Sequence, residues 1–484
     1  MSDPCLLSAV ELSQMIGKRK ISPGELLEAC ITRIERFNPL LNAVVQHDFE
    51  RARGGARTAS DLIAKGGKLP PLFGLPCTIK DAFEVSRLKS TGGSVSLKDH
   101  VPDSDADVVA RVRRAGANIM GKTNVPFASG DFQSFNDIYG VTNNPYDLER
   151  TPGGSSGGPA AAVAAGMSAF EIGSDIGGSI RLPAHFCGLY GLKPSYGIVP
   201  LRGHIPPPPG YLAASDLAVA GPLARAARDL PLIFEAIAGP ADDNPAWRLE
   251  IPQARTCDPR DLRVAVWLED EFTNVDSGSV ALIEAAANAL ASAGAKVDFD
   301  ARPDFTLRAA FVNYVLIMYA IIASDFPDEM RAEMIEAART ADPDDTSHAT
   351  LQARATALNY ADWLSLNQAR ARLQAKWATF FCSYDVVLCP VAPVPAFPHD
   401  HRGFTQRHLD VNGTERPYLD LVHWAGLATG GYLPAAVAPV GQTKSGLPVG
   451  VQIIGPWLED RTPMAVAAML EKLVGGFSPA PEFA

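Results

Sequence analysis

Three positions in this chain carry the parts of a nucleophilic catalyst. Gly153-Gly154-Ser155-Ser156-Gly157-Gly158 sets one serine in a glycine-rich turn, and Gly173-Ser174-Asp175-Ile176-Gly177-Gly178-Ser179-Ile180-Arg181 sets another. Lys80 ends the short apolar run from Gly74 to Ile79, 75 residues before Ser155, and Ser179 lies 24 residues after Ser155. Two serines alone are not a catalyst. With a lysine they supply a nucleophile, a relay hydroxyl and a base, which suffices for hydrolysis where no histidine serves. The glycines fit the same chemistry, because a backbone that offers several N–H groups to one developing oxyanion must turn tightly and come close to the substrate. The lysine must be neutral part of the time to accept a proton near pH 7, which calls for burial without a tight carboxylate partner. Asp81 is adjacent, but in a strand its side chain points to the opposite face.

At these residues the sequence resembles the amidase signature family, serine hydrolases with a Ser, cis-Ser, Lys triad. The resemblance extends to Ile79-Lys80-Asp81-Ala82-Phe83, Ala115-Gly116-Ala117 with Gly121-Lys122-Thr123-Asn124, Cys187-Gly188-Leu189 with Gly191-Leu192-Lys193-Pro194, and Gly446-Leu447-Pro448-Val449-Gly450-Val451-Gln452. Carried over by position, it implies Ser179 as the nucleophile, Ser155 as the bridging serine after a cis peptide bond, and Lys80 as the start of the proton relay. The amides of Ile176, Gly177, Gly178 and Ser179 would form the oxyanion hole. Asp175 and Arg181 are expected to brace the nucleophile loop, and Ser156 to hydrogen-bond within its own. Family members line the acyl pocket just beyond the position of Phe127, which makes Ser129, Gly130 and Asp131 the expected substrate contacts. Two residues depart from the pattern: Glu171 stands where a small residue is usual, and Phe127 replaces a polar residue, often Glu.

Other motifs point elsewhere and fail on context. Gly116 to Thr123 matches the phosphate-loop pattern G-x4-G-K-T, yet it follows a helical stretch, contains a strand-like run and meets Pro126 three residues after Thr123, so it does not open a helix. Gly153 to Gly157 matches the G-x-S-x-G elbow, but the histidines downstream (His185, His204, His348, His399, His401, His408 and His423) carry no local pattern that would complete a triad. His399, Asp400, His401 and His408 read as a polar loop after Pro398 rather than as metal ligands. No metal and no cofactor is expected.

These residues need a scaffold, and the chain alternates helix and strand signals around them. Ser22-Pro23-Gly24-Glu25 reads as a capped helix start, Asp107 to Arg114 as a helix, and Ala117 to Met120 as a strand. Ser279 to Ala293 reads as a helix followed by a strand at Ala295 to Phe299, with further strands at Asp385 to Cys389 and Val449 to Ile454. The expected fold is α/β: a single large α/β/α domain over residues 1–484, with a mixed, mostly parallel central sheet covered by helices. Residues 74–200 would hold the catalytic core, and 301–400 a helical insertion shaping the substrate pocket. Within it, Ala309 to Ser324 is a run of sixteen uncharged residues. As a helix it would span about 24 Å, short of the roughly 30 Å of a bilayer core, so it is read as a core helix or as a pocket wall presenting Phe311, Tyr314, Val315 and Met318.

The chain has 484 residues, 47% of them hydrophobic and 20% charged, which excludes wholesale disorder. A formal charge of −11 leaves no footprint for gripping a polyanion, so nucleic acid is not an expected ligand. Seven scattered cysteines without a Cys-x-x-Cys pair suit a reducing compartment. The N-terminus carries an acid at Asp3 and no basic segment before its apolar run, so it does not read as a signal peptide. A cytoplasmic enzyme is therefore expected, with a homodimer as its candidate assembly. It would hydrolyse a small-molecule amide to acid and amine through an acyl-enzyme, without membrane or nucleic-acid partners. The alternative is the glutamine-hydrolysing component of a tRNA-dependent amidotransferase.

Overall fold

Ser22 caps the helix Pro23–Leu41 as the sequence predicts. Its hydroxyl accepts from the amide of Glu25, and the Glu25 carboxylate accepts from the amide of Ser22. The computed structural model describes residues 3–244 and 246–484. Its centre is one continuous eleven-stranded sheet, in the spatial order Val44–His47, Asn118–Thr123, Pro76–Lys80, Glu171–Asp175, Val219–Ala224, Tyr190–Lys193, Ala435–Gln442, Pro448–Ile454, Val386–Pro390, Arg263–Val266 and Lys296–Asp298. Six of these strands, Pro76–Lys80 and Glu171–Asp175 among them, are buried at every residue. A strand buried on both sides must be covered by helices on both, and the apolar run that ends at Lys80 has this character.

The sheet is mixed, but it is less parallel than the helix–strand alternation suggests. Parallel pairing occurs in two flanking sets, Asn118–Thr123 with Pro76–Lys80 and Glu171–Asp175, and Val386–Pro390 with Arg263–Val266 and Lys296–Asp298. Six of the ten pairings are antiparallel: the five across the centre and that of Val44–His47 at one edge. The central strands Val219–Ala224 and Ala435–Gln442 were not evident in the sequence, because each is a Val/Ala run interrupted by Gly and Pro.

Residues 307–380 form four helices, Leu307–Ala323, Asp328–Thr340, His348–Thr356 and Tyr360–Phe380. The chain then returns to the central sheet at Val386–Pro390, so the helical insertion ends about twenty residues before the expected boundary at 400. Leu307–Ala323 buries Phe311, Tyr314, Val315 and Met318, and among the described residues no helix is long and apolar enough to cross a membrane.

Candidate active site

Parallel pairing brings the first parts of the site together. Thr78 and Ile79 pair with Glu171 and Ile172, so Pro76–Lys80 and Glu171–Asp175 end on the same edge of the sheet and deliver Lys80 and Ser174 to one place. Beyond the C-terminal ends of parallel strands is where α/β sheets commonly hold their sites. Lys80 Nζ lies 2.6 Å from Ser155 Oγ and 2.9 Å from Ser174 Oγ, and all three residues are buried. Burial pushes the Lys80 amine down to about 7, against the upward pull of the Asp175 and Glu171 carboxylates. Asp81 faces the other way, 3.1 Å from Lys122. The lysine of the phosphate-loop pattern is thus wholly buried, holding Asp81 and donating to the Phe83 carbonyl and Ser90 hydroxyl.

The peptide bond between Gly154 and Ser155 is cis. The turn is packed so closely that a Cβ on Gly154 would lie 2.4 Å from the Asp131 carbonyl, and one on Gly158 2.5 Å from the Asn124 amide. Only glycine fits such approaches of backbone to backbone. Ser134 Oγ ties the turn together, donating to the Gly153 carbonyl and accepting from the Gly157 amide. Ser156 joins the two serine loops, its amide donating to the Ser179 carbonyl and its hydroxyl to the Ser174 carbonyl.

Asp175 organises the nucleophile loop. Its carboxylate accepts from the amides of Gly178 (2.9 Å) and Ile180 (3.0 Å) and pairs in a fork with Arg181 (2.7 and 3.0 Å). Burial alone would raise this acid, but the Arg181 guanidinium holds it at about 2. Arg181 in turn donates to the Ala425 carbonyl, Thr429 Oγ1 and Gln452 Oε1. The Gly178 amide gives its one hydrogen to Asp175, whereas the amides of Ile176, Gly177 and Ser179 make no hydrogen bond among the described residues. The Ser179 hydroxyl makes no hydrogen bond among the described residues.

Two participants escaped sequence reading. Ser174 Oγ lies 2.8 Å from His204 Nε2, and His204 Nδ1 lies 2.7 Å from the Pro206 carbonyl. Burial, then the nearby Lys80, pushes His204 down to about 4, so the ring is neutral. A carbonyl only accepts, which puts the ring hydrogen on Nδ1 and leaves Nε2 to accept from the Ser174 hydroxyl. Ser174 can then only accept from Lys80. The one available signal was Ser174 beside Asp175 in the nucleophile motif; nothing local marked His204.

The expected substrate contacts separate. Both Asp131 oxygens are taken, by Arg407 Nη1 at 2.6 Å and the Tyr418 hydroxyl at 2.6 Å, so Asp131 anchors the backbone beneath Gly154. Ser129 Oγ is buried without a partner, whereas Gly130 is exposed. Phe127 is 65% exposed. Glu171 is buried and accepts from Thr123 Oγ1 at 2.7 Å, and burial raises it to about 7. Tyr314 reaches the site, its hydroxyl 2.9 Å from the Ile176 carbonyl.

The family model for amidases matches residues 25–463. The chain belongs to the amidase family. It is 35% identical to the A component of the glutamyl-tRNA(Gln) amidotransferase of Acidothermus cellulolyticus, covering 97% of this chain and 95% of that one. It is 32% identical to fatty-acid amide hydrolase 2-A of Danio rerio, over 98% and 89% of the two chains. Among solved structures, a bacterial aryl acylamidase of the amidase signature enzymes superposes with a TM-score of 0.80 at 26% identity, covering 99% of this chain and 97% of that one. The family and the α/β fold expected from the serine and lysine motifs are thereby shown, and with them an enzyme of the amide-hydrolysing kind.

Proposed function

We propose that this amidase-family enzyme cleaves a carboxylic amide, R-CO-NH-R′, to acid and amine through an acyl-enzyme on Ser179, with Ser155 and Lys80 as its proton relay. The observation that carries this reading is the 2.6 Å contact between Lys80 and Ser155, formed where burial holds the amine at about 7. A neutral lysine has two N–H donors and one lone pair. Because Ser174 must accept from Lys80, one N–H is committed there and the lone pair is free to turn to the Ser155 hydroxyl. Ser179 Oγ attacks the carbonyl carbon while its proton passes to Ser155, whose own proton passes to Lys80. The oxyanion is held by the amides of Ile176, Gly177 and Ser179. The proton then returns through Ser155 to the departing nitrogen, and water hydrolyses the ester by the same relay. The open Ser179 hydroxyl suits a relay that closes on substrate binding.

The likeness to an amidotransferase component supports a second reading, glutamine hydrolysis within a complex. A fluorophosphonate probe and an amide panel test both. The expected adduct lies on Ser179 and disappears in Ser179→Ala, with turnover of one or more amides by the purified protein without a partner. An adduct on Ser155 or Ser156 overturns the triad assignment, and rapid glutamine hydrolysis confined to a complex establishes the second reading. The scattered free cysteines further support a cytoplasmic location.

A further inference from the structure

Away from the serine loops, three elements converge on a set of nitrogen and oxygen atoms that none of the amide chemistry uses. His348 opens the helix His348–Thr356, Asp420 lies in the turn Tyr418–Leu421, and His423 lies in the first turn of Val422–Gly430. Asp420 Oδ1 is 3.6 Å from His348 Nε2 and 3.5 Å from His423 Nε2, and one ligand atom from each residue lies within 4.8 Å of the others. These separations are long for hydrogen bonds. They approach the spacing around a tetrahedral ion, whose bonds of about 2.0–2.1 Å set neighbouring ligand atoms roughly 3.4 Å apart.

The surroundings favour an ion over a simple polar cluster. His348 Nε2, which faces Asp420, is buried without a hydrogen-bond partner, an arrangement that costs stability unless something satisfies it. The Tyr319 hydroxyl, from the helix Leu307–Ala323, lies 2.8 Å from His348 Nδ1 and so fixes the ring with Nε2 turned toward Asp420. Arg416 holds Asp420 Oδ2 at 2.9 Å, which leaves Oδ1 as the carboxylate's free corner. The two imidazoles stack with an interplanar angle of 9°, and the rings of Phe272 and Phe311 each lie 4.5 Å from that of His423, enclosing the site in apolar surface.

We propose that His348, Asp420 and His423 bind a divalent transition-metal ion of the zinc class, through two imidazole nitrogens and one carboxylate oxygen. Such an ion pins the helical insertion to the helix that carries Ala425 and Thr429, the partners of Arg181, and so supports the nucleophile loop from outside without touching substrate. The proposal is independent of the amidase reading.

Titration of the metal-stripped full-length protein with Co²⁺, followed by its d–d absorption, tests it. One equivalent is expected to bind with tetrahedral-type bands, to be displaced by Zn²⁺, and to raise the thermal midpoint. His348→Gln should bind at least tenfold more weakly while its far-UV circular dichroism is unchanged, and Tyr319→Phe should fall between that variant and the parent. His401→Gln, in the polar loop after Pro398, should match the parent. Absence of stoichiometric uptake by the parent protein, or equal uptake by the His348→Gln and His423→Gln variants, overturns the site whether or not any one variant folds well.

Discussion

Lys80 is worth most to the reaction when it is neutral, and its environment sets when that is. Burial lowers the amine to about 7, while Asp175 and Glu171 pull the other way. Since the protonated amine cannot accept the relayed proton, kcat/KM should rise with pH through an apparent pKa near 7 that belongs to the coupled lysine and serines. Glu171 carries its charge only above about 7, and there it favours the ammonium, so Glu171→Gln should move the upper part of the rising limb to lower pH. A profile unmoved by this substitution would assign the titration to another group. Ser174 acts on the same amine by geometry: Ser174→Ala frees one lysine N–H and unties the lone pair from Ser155. The expected result is a fall in kcat of roughly 10- to 100-fold with little change in KM, the pattern of a group that positions the base and does not bind substrate. A proportionate rise in KM would make Ser174 a substrate contact instead.

Among the elements, the helix Leu307–Ala323 decides how the helical insertion meets the catalytic loops. A purely internal helix and a pocket wall look alike in sequence, since both are uncharged. The bond from Tyr314 to the Ile176 carbonyl places this helix against the nucleophile loop, and Met318 lies beside Gly177. Tyr314→Phe should therefore lower kcat by loosening the Ile176 peptide, and Met318→Ala should change the ratios of kcat/KM among amides of different acyl size. Constant ratios combined with a loss of about 2–5 kcal/mol in stability would return the helix to the core. The element boundaries had simpler origins. Asp107–Arg114 coincides with its predicted range, because Gly116 and the strand behind it leave no room for another turn.

At the scale of the whole molecule, Arg181 is the junction. It joins the nucleophile loop through Asp175, the helix Val422–Gly430 through Ala425 and Thr429, and the strand Pro448–Ile454 through Gln452. Among the described residues Asp175 has no other charge partner at ion-pair distance, so Arg181→Met would leave a buried carboxylate unpaired. The expected cost is about 3–5 kcal/mol in urea unfolding, accompanied by loss of activity. Arg181→Met with Asp175→Leu should recover part of the stability and none of the activity, because the loop amides would no longer be held. Recovery of turnover in the double variant would show that the pair is dispensable for the reaction.

Sequence alone determined the parts that depend on local chemistry. The serine turns need glycines where backbone meets backbone, Ser22 and Glu25 cap a helix through four consecutive residues, and Lys80 ends an apolar strand; each requirement leaves its mark within a few positions. What the tertiary structure decided lies between residues far apart in the chain. His204 meets Ser174 across 30 residues, Lys80 meets Ser174 across 94, and Arg407 meets Asp131 across 276. The same holds for the antiparallel centre of the sheet, for the Gly178 amide turned to Asp175, and for His348 brought beside Asp420 and His423. A side chain that pairs across such distances carries no periodicity, and an ordinary histidine or aspartate looks the same whether it faces water or another buried group. Local signals record what the backbone requires of each segment, while burial and long-range pairing arise only when the segments pack and exclude water.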